Sequence, residues 1–236
     1  MEQMFIYYCL HSFSDIMKKT LTIILIFLCS CNGIAQLSDL GNWLIYFGNK
    51  KIDHKWNWHH EVQYRNYNAI GDLEQLLLRT GIGYNLNENN NNILLGYGFI
   101  NSQNYISNTD QKTGINEHRV YQQFITHQSF GRVKLQHRYR FEQRWIENQN
   151  FKLRFRYFLA FNIPLNKLNM VDKTFYLSFY NEIFLNHKEN VFDRNRLYGG
   201  VGFKLNNLIR FEVGYMNQFL NNNNRDQMNI ITFINF

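Results

Sequence analysis

The chain has 236 residues, 45% hydrophobic and 17% aromatic, with a formal net charge of +7. A single Pro beside 21 Phe and 15 Tyr excludes a disordered chain and favours strands. The three cysteines, Cys9, Cys29 and Cys31, all lie at the start, which excludes a disulfide scaffold or a thiolate zinc site in the remainder.

In chain order the first feature is an export signal. Met17-Lys18-Lys19-Thr20 is a basic opening, residues 21–28 (LTIILIFL) form a short apolar core, and Gly33-Ile34-Ala35 places small residues three and one before a cleavable bond. That order reads as a secretory signal peptide over 17–35, with an apolar core too short to span a bilayer. Residues 1–16 fit no part of it, so Met17 reads as the true start. The alternative is a lipoprotein signal with Cys31 acylated as the first mature residue. A cut before Gln36 instead leaves a mature chain free of cysteine. It removes Lys18 and Lys19 with Glu2 and Asp15, so the charge stays +7. No later apolar run reaches the roughly 20 residues of a membrane helix, which excludes a helical membrane bundle.

Residues 36–236 read as one barrel domain of period-two strands. Strands are predicted near 42–48, 55–67, 74–86, 93–105, 117–128, 132–145, 151–162, 174–186, 196–205, 208–219 and 227–236. The alternation is clearest in two of them. Val133, Leu135, Tyr139, Phe141 and Trp145 point one way, with His137 and Gln143 as exceptions, against Lys134, Gln136, Arg138, Arg140, Glu142 and Arg144. Phe151, Leu153, Phe155, Tyr157, Leu159 and Phe161 then oppose Lys152, Arg154, Arg156 and Asn162, with Phe158 and Ala160 as exceptions. Side chains alternate faces along a strand, so each segment has one apolar and one charged wall.

These strands exceed the usual soluble length of about 5–6 residues and suit a tilted membrane span of about 9–11 plus overhang. Short turns at 87–92, 129–131 and 206–207 alternate with longer loops at 105–116, 186–195 and 221–226, the outer-membrane pattern. In lipid a sheet satisfies its backbone only by closing, so the expected fold is an all-β, antiparallel, up-and-down transmembrane barrel. The apolar wall then faces lipid and the charged wall the lumen. Trp43, Trp56, Trp58 and Trp145 lie near strand ends, where aromatic girdles sit. Eleven segments conflict with the even counts of bacterial barrels, which favours about twelve strands, with ten as the alternative. A lipocalin-like soluble barrel alternates equally well but turns the apolar wall inward.

The candidate site is the basic wall. Lys134, Arg138, Arg140, Arg144, Lys152, Arg154 and Arg156 become neighbours across one ladder, and like charges in that position need carboxylates. Candidates are Glu142, Glu182, Glu212, Glu61 and Glu74, and Arg196 and Arg210 join the expected lumen network. One reading is an Arg–Glu network filling a narrow lumen. The other is an anion path or site, which Arg suits better than Lys. Catalysis would need a nucleophile beside a base. His127-Gln128-Ser129 is the nearest pattern, at a predicted turn and without a flanking Asn-Gly. His59 and His60 alternate faces, and His118 and His187 lie near loops, so no metal site and no cofactor are expected. Gly81, Gly83, Gly96, Gly98, Gly199, Gly200 and Gly202 lie within strands, where Gly usually marks bends or bulges. The aromatics lie opposite the arginines, so a base-stacking nucleic-acid groove is not expected.

The segments LQHRYRFEQRW (135–145), LRFRYFLAFNIPL (153–165), YNEIFLN (180–186), FDRNRLYGGVGFKL (192–205) and RFEVGYMNQFL (210–220) resemble the uncharacterised outer-membrane barrel family called domain of unknown function 2490. The resemblance covers roughly 40–236. It rests on Arg138, Arg140, Arg144, Arg154, Arg156, Glu182 before Phe184, Arg196, and Gly214-Tyr215 before Asn217-Gln218. One departure is Arg225-Asp226-Gln227, where the family pattern expects a His. The resemblance implies fold and location and no catalytic residues. Phe236, ending an amphipathic strand with Ile230 and Ile234 on its face, resembles a C-terminal sorting signal read by barrel-assembly machinery. The expected function is a narrow or plugged non-enzymatic barrel in contact with outer-membrane lipid and lipopolysaccharide. The alternatives are a lipid- or lipopolysaccharide-modifying enzyme and a periplasmic barrel binding a small apolar ligand.

Overall fold

A computed structural model describes residues 40–87, 91–188, 190–221 and 223–236. The expected signal peptide, the stretch before it and Cys31 lie outside the described residues. Eleven strands follow one another: β1 (Gly41–Lys51), β2 (Trp56–Asn66), β3 (Leu73–Asn87), β4 (Asn91–Tyr105), β5 (Lys112–Phe130), β6 (Val133–Ile146), β7 (Lys152–Pro164), β8 (Thr174–Asn186), β9 (Phe192–Lys204), β10 (Ile209–Leu220) and β11 (Asn224–Asn235). Each pairs antiparallel with its sequence neighbour, and β1 closes the barrel by pairing parallel with β11.

That seam sets the count at eleven among the described residues, near the expected twelve. Gly41 pairs with Gln227 and Asn49 with Asn235, and the Phe236 amide donates to the Asn49 carbonyl at 2.9 Å. An odd number of strands closes because the seam is parallel. Gly41 consequently opens at the mouth opposite Phe236. The connections after β1, β3, β5, β7 and β9 share Phe236's mouth, here the C-terminal mouth. Those after β2, β4, β6, β8 and β10 form the other, the N-terminal mouth.

The short-turn, long-loop asymmetry does not hold. Strands β5, β9 and β11 extend into the predicted loops, and residues 165–173 make a long connection on the side expected to carry short turns. Arg132 Nη2 holds that connection by donating to the carbonyls of Pro164, Leu165 and Lys167 at 2.9–3.0 Å. The tightest turn is 131–132, where Gly131 at φ 55° supplies the glycine-first geometry of a II′ hairpin.

The two walls segregate as the alternation requires. Phe151 and Phe155 are 51% and 40% exposed, and Leu44, Val62, Leu78, Leu95, Phe141, Phe179, Val201, Val213 and Ile230 also face outward. Arg140, Glu142, Arg154, Arg156 and Glu182 are buried inside. Trp56, Trp58 and Trp145 face outward near the mouths, but Trp43 is 3% exposed and lies in the lumen. It shares the phase of Ile45, while Leu44 takes the outer face. With Ile45, Tyr198, Met216 and Ile231 it forms an apolar arc inside the barrel. Side chains fill much of the interior of a small barrel, so its inner wall buries apolar groups as well as charges.

The strand glycines serve this packing rather than bends. Register shifts fall at Arg65/Asn66, Asn85/Asn87 and Phe184/Leu185, none at a glycine. A Cβ on Gly96 would lie 2.2 Å from Tyr121 Cζ, and one on Gly202 2.1 Å from Tyr176 Cζ. Each ring occupies the space that a side chain would need on the glycine that it faces across the ladder.

Candidate functional site: an arginine-lined lumen

Strands β5 to β8 carry the charges, and their inward phase brings them together. Glu142 on β6 is fully buried beneath two β7 arginines. Arg154 Nη2 donates to its Oε2 at 2.7 Å and Arg156 Nη1 to its Oε1 at 2.7 Å, while Arg140 Nη1 stands 3.7 Å away. Glu182 on β8 is the second hub. It accepts from Arg156 Nη2 at 2.6 Å and Arg138 Nη2 at 2.8 Å, with Arg196 Nη1 at 3.8 Å. Arg156 thus bridges both carboxylates. Glu117 on β5 is a third hub, receiving paired bonds from Arg119 (2.5 and 2.8 Å) and Arg144 (2.6 and 3.0 Å). Parallel donation of this kind fixes both partners.

Other expected members sit further out. Glu212 accepts from Tyr176 and Ser178 at 2.8 and 3.1 Å, and Arg210 is 4.0 Å from it. Lys134 donates to Ser129 at the C-terminal rim, and Lys152 to Gln149 at the N-terminal rim. Glu74 pairs with Arg225, between β3 and β11 near the start of β1. Glu61 pairs with Arg79 at 2.5 Å. The Phe158 exception faces inward beneath the Arg138 guanidinium, 4.3 Å from its ring centre.

Sequence reasoning missed Arg65, Arg79, Glu117, Arg119, Asp193 and Arg194. The signal for Glu117 and Arg119 is their two-residue spacing in phase with Tyr121. Arg79 stood out as a lone charge in the apolar run of β3. Arg65 carried no such mark. Its guanidinium carbon lies 3.6 Å from the centre of the Trp43 ring, and that of Arg196 lies 4.8 Å away. Arg65 donates to Gln63 and Gln75.

Two cavities flank this network. One of about 740 Å³ opens at the C-terminal mouth, with Phe47, Ile231 and Phe233 on one wall and Glu61, Arg138 and Arg140 on another. The second, about 300 Å³, lies towards the N-terminal mouth. Arg65, Arg79, Arg156 and Arg196 line both, so a layer of guanidinium groups separates them.

The remaining histidines are placed apart. His59 is 3.6 Å from Glu61 in the lumen, whereas His60 is stacked between Trp58 and Phe236, with Tyr46 Oη 2.8 Å from its Nε2. His118 lies against Tyr97, 2.6 Å from its hydroxyl, and His187 is exposed. His127 and Ser129 are both exposed at the C-terminal rim.

A family model described as "Protein of unknown function (DUF2490)" matches residues 40–229, almost the whole barrel. The chain belongs to this family. Every hub of the DUF2490 lumen lies inside the matched span. Among curated proteins, an uncharacterized protein of Methylorubrum extorquens is 29% identical over 165 residues, which is 67% of this chain and 69% of that protein. No solved structure matches.

Proposed function

We propose that this DUF2490 protein is an outer-membrane β-barrel without enzymatic activity, its narrow lumen divided by the Arg–Glu network. The observation that carries this is the direction of the walls. Apolar side chains cover the exposed outside while guanidinium and carboxylate groups are enclosed, the reverse of a soluble barrel around an apolar ligand. Strands of 11 to 19 residues, outward Trp56, Trp58 and Trp145 near the mouths, and the terminal Phe236 support the same reading. The signal peptide over 17–35 would direct export. Lipid and lipopolysaccharide are then the outer wall's partners, and the assembly machinery would engage β11.

A non-enzymatic role fits the placement of the one His-x-Ser pattern. Ser129 is an exposed rim residue that accepts from Lys134 at 3.2 Å. The test is fractionation with heat-modifiable gel mobility: a heat-modifiable band in the outer membrane is expected, and a soluble periplasmic monomer overturns the reading. In planar bilayers, low conductance with reversal favouring anions is expected. Lipid-hydrolysis assays should show no turnover in wild type or Ser129→Ala, and activity lost in the variant would make it an enzyme.

A further inference from the structure

We infer that the smaller cavity, towards the N-terminal mouth, is a binding site for a phosphate-bearing anion. Its lining carries eight arginines and Lys152 against two carboxylates, Glu117 and Asp193. Both carboxylates are already engaged, Glu117 by Arg119 and Arg144, and Asp193 by Arg154 at 3.0 Å and Arg194 at 3.2 Å. Glu61, Glu142 and Glu182 answer Arg79, Arg154 and Arg156.

Two floor arginines remain undercompensated. Arg65 is 7% exposed, and among the described residues its side-chain hydrogen bonds go to the amide oxygens of Gln63 and Gln75. Arg196 Nε donates to Gln218 at 2.8 Å, and its nearest carboxylate is 3.8 Å away. Both lie over Trp43, so two cations share one ring. A buried cation without a hydrogen-bonded counter-ion is costly, and a ligand anion reduces that cost.

The chemistry selects the ligand. Several excess positive charges suit a dianion or polyanion over a lone carboxylate. Planar guanidinium forks match phosphate oxygens two at a time. A volume near 300 Å³, at the lower limit of small-molecule pockets, admits a phosphorylated sugar or pyrophosphate but no acyl chain. A free phosphate and a lipid headgroup leaning in from the rim share this chemistry, and the test separates them. That the rim of this cavity meets membrane lipid rests on the outer-membrane reading; the anion site does not.

The test uses the folded barrel in detergent. Inorganic phosphate and pyrophosphate are titrated by calorimetry, and bis-phosphorylated lipid A in micelles is compared with the dephosphorylated lipid. Saturable binding of at least one phosphorylated probe is expected. Pyrophosphate alone identifies a soluble ligand, and lipid A alone a headgroup. Arg65→Gln and Arg196→Gln should each weaken binding about tenfold or more, while Lys134→Gln at the other rim leaves it within about twofold. If Arg65→Gln fails to fold, Arg65→Lys keeps the charge without the fork and should still weaken binding. No binding of any phosphorylated probe, or equal loss in the Lys134 variant, overturns the site. Fractionation reads location separately, so an outer-membrane barrel blind to phosphate sinks only this inference.

Discussion

Glu142 is where single side chains matter most. A buried ion pair adds little over an apolar core, but a charge left alone there is costly. Glu142→Ala takes one carboxylate from each of two buried arginines, leaving Arg154 with Asp193 and Arg156 with Glu182, and should lower stability by about 3 kcal/mol. Arg154→Ala should cost less, because Glu142 keeps Arg156. Urea titration of the heat-modifiable band measures both, and equal effects would contradict the hub geometry. Outside the strands, Asp72 ties two N-terminal-mouth connections, accepting from Tyr105 Oη at 2.9 Å and from Lys112. Partial burial pushes its carboxyl up, but the bonds from Lys112 and Tyr105 outweigh that and hold it below the ordinary value. A depressed acid stabilises above its unfolded pKa of about 3.9, and that contribution is lost as pH falls through the lower folded value. Proteolysis of residues 67–72 and 106–111 should therefore increase below pH of about 4, and Asp72→Asn should show the same increase at neutral pH, with the rest of the barrel resistant.

Along each strand, the departures from alternation prove as ordered as the rule. Polar residues on the outer wall come in bonded pairs: Gln122 with Gln143 at 3.1 Å, Asn181 with Asn195 at 2.7 Å, and His137 with Tyr157 at 2.9 Å. Each pair is matched diagonally across the ladder, as an outer wall facing the proposed lipid would require, since a lone amide there would have no water to turn to. Gln122→Leu should destabilise by about 1–3 kcal/mol by leaving Gln143 unmatched, and Gln122→Leu with Gln143→Leu should recover most of it. A double variant as weak as the single would show that the pairing is incidental. The same ladder explains what sequence disclosed. β6 and β7 were legible because one wall is wholly charged or polar at most positions and the other apolar. β1 and β11 were legible as strands, but the direction of their walls was not, because Trp43, Ile45, Ile231 and Phe233 make their inner wall apolar too. Trp43 then looks like a girdle residue, and only the partners over it, Arg65 and Arg196, give its place away.

For the molecule as a whole, the strand segments were visible as eleven, and the even-number rule argued against them. Closure joins the two ends of the chain, and no local pattern reports whether that pairing runs parallel. Asn49 and Asn235 are register partners at the seam and both line the larger cavity. Asn49→Cys with Asn235→Cys should form a reducible intramolecular cross-link in the folded barrel, since neighbouring strands lie about 4.8 Å apart, within disulfide reach. A twelfth strand between them would prevent it. Eleven traverses also give the protein a polarity that an even weave lacks. A peptide tag spliced ahead of Gly41 and another appended to Phe236 would hang from opposite openings, so one polypeptide would report from both ends of its own bore.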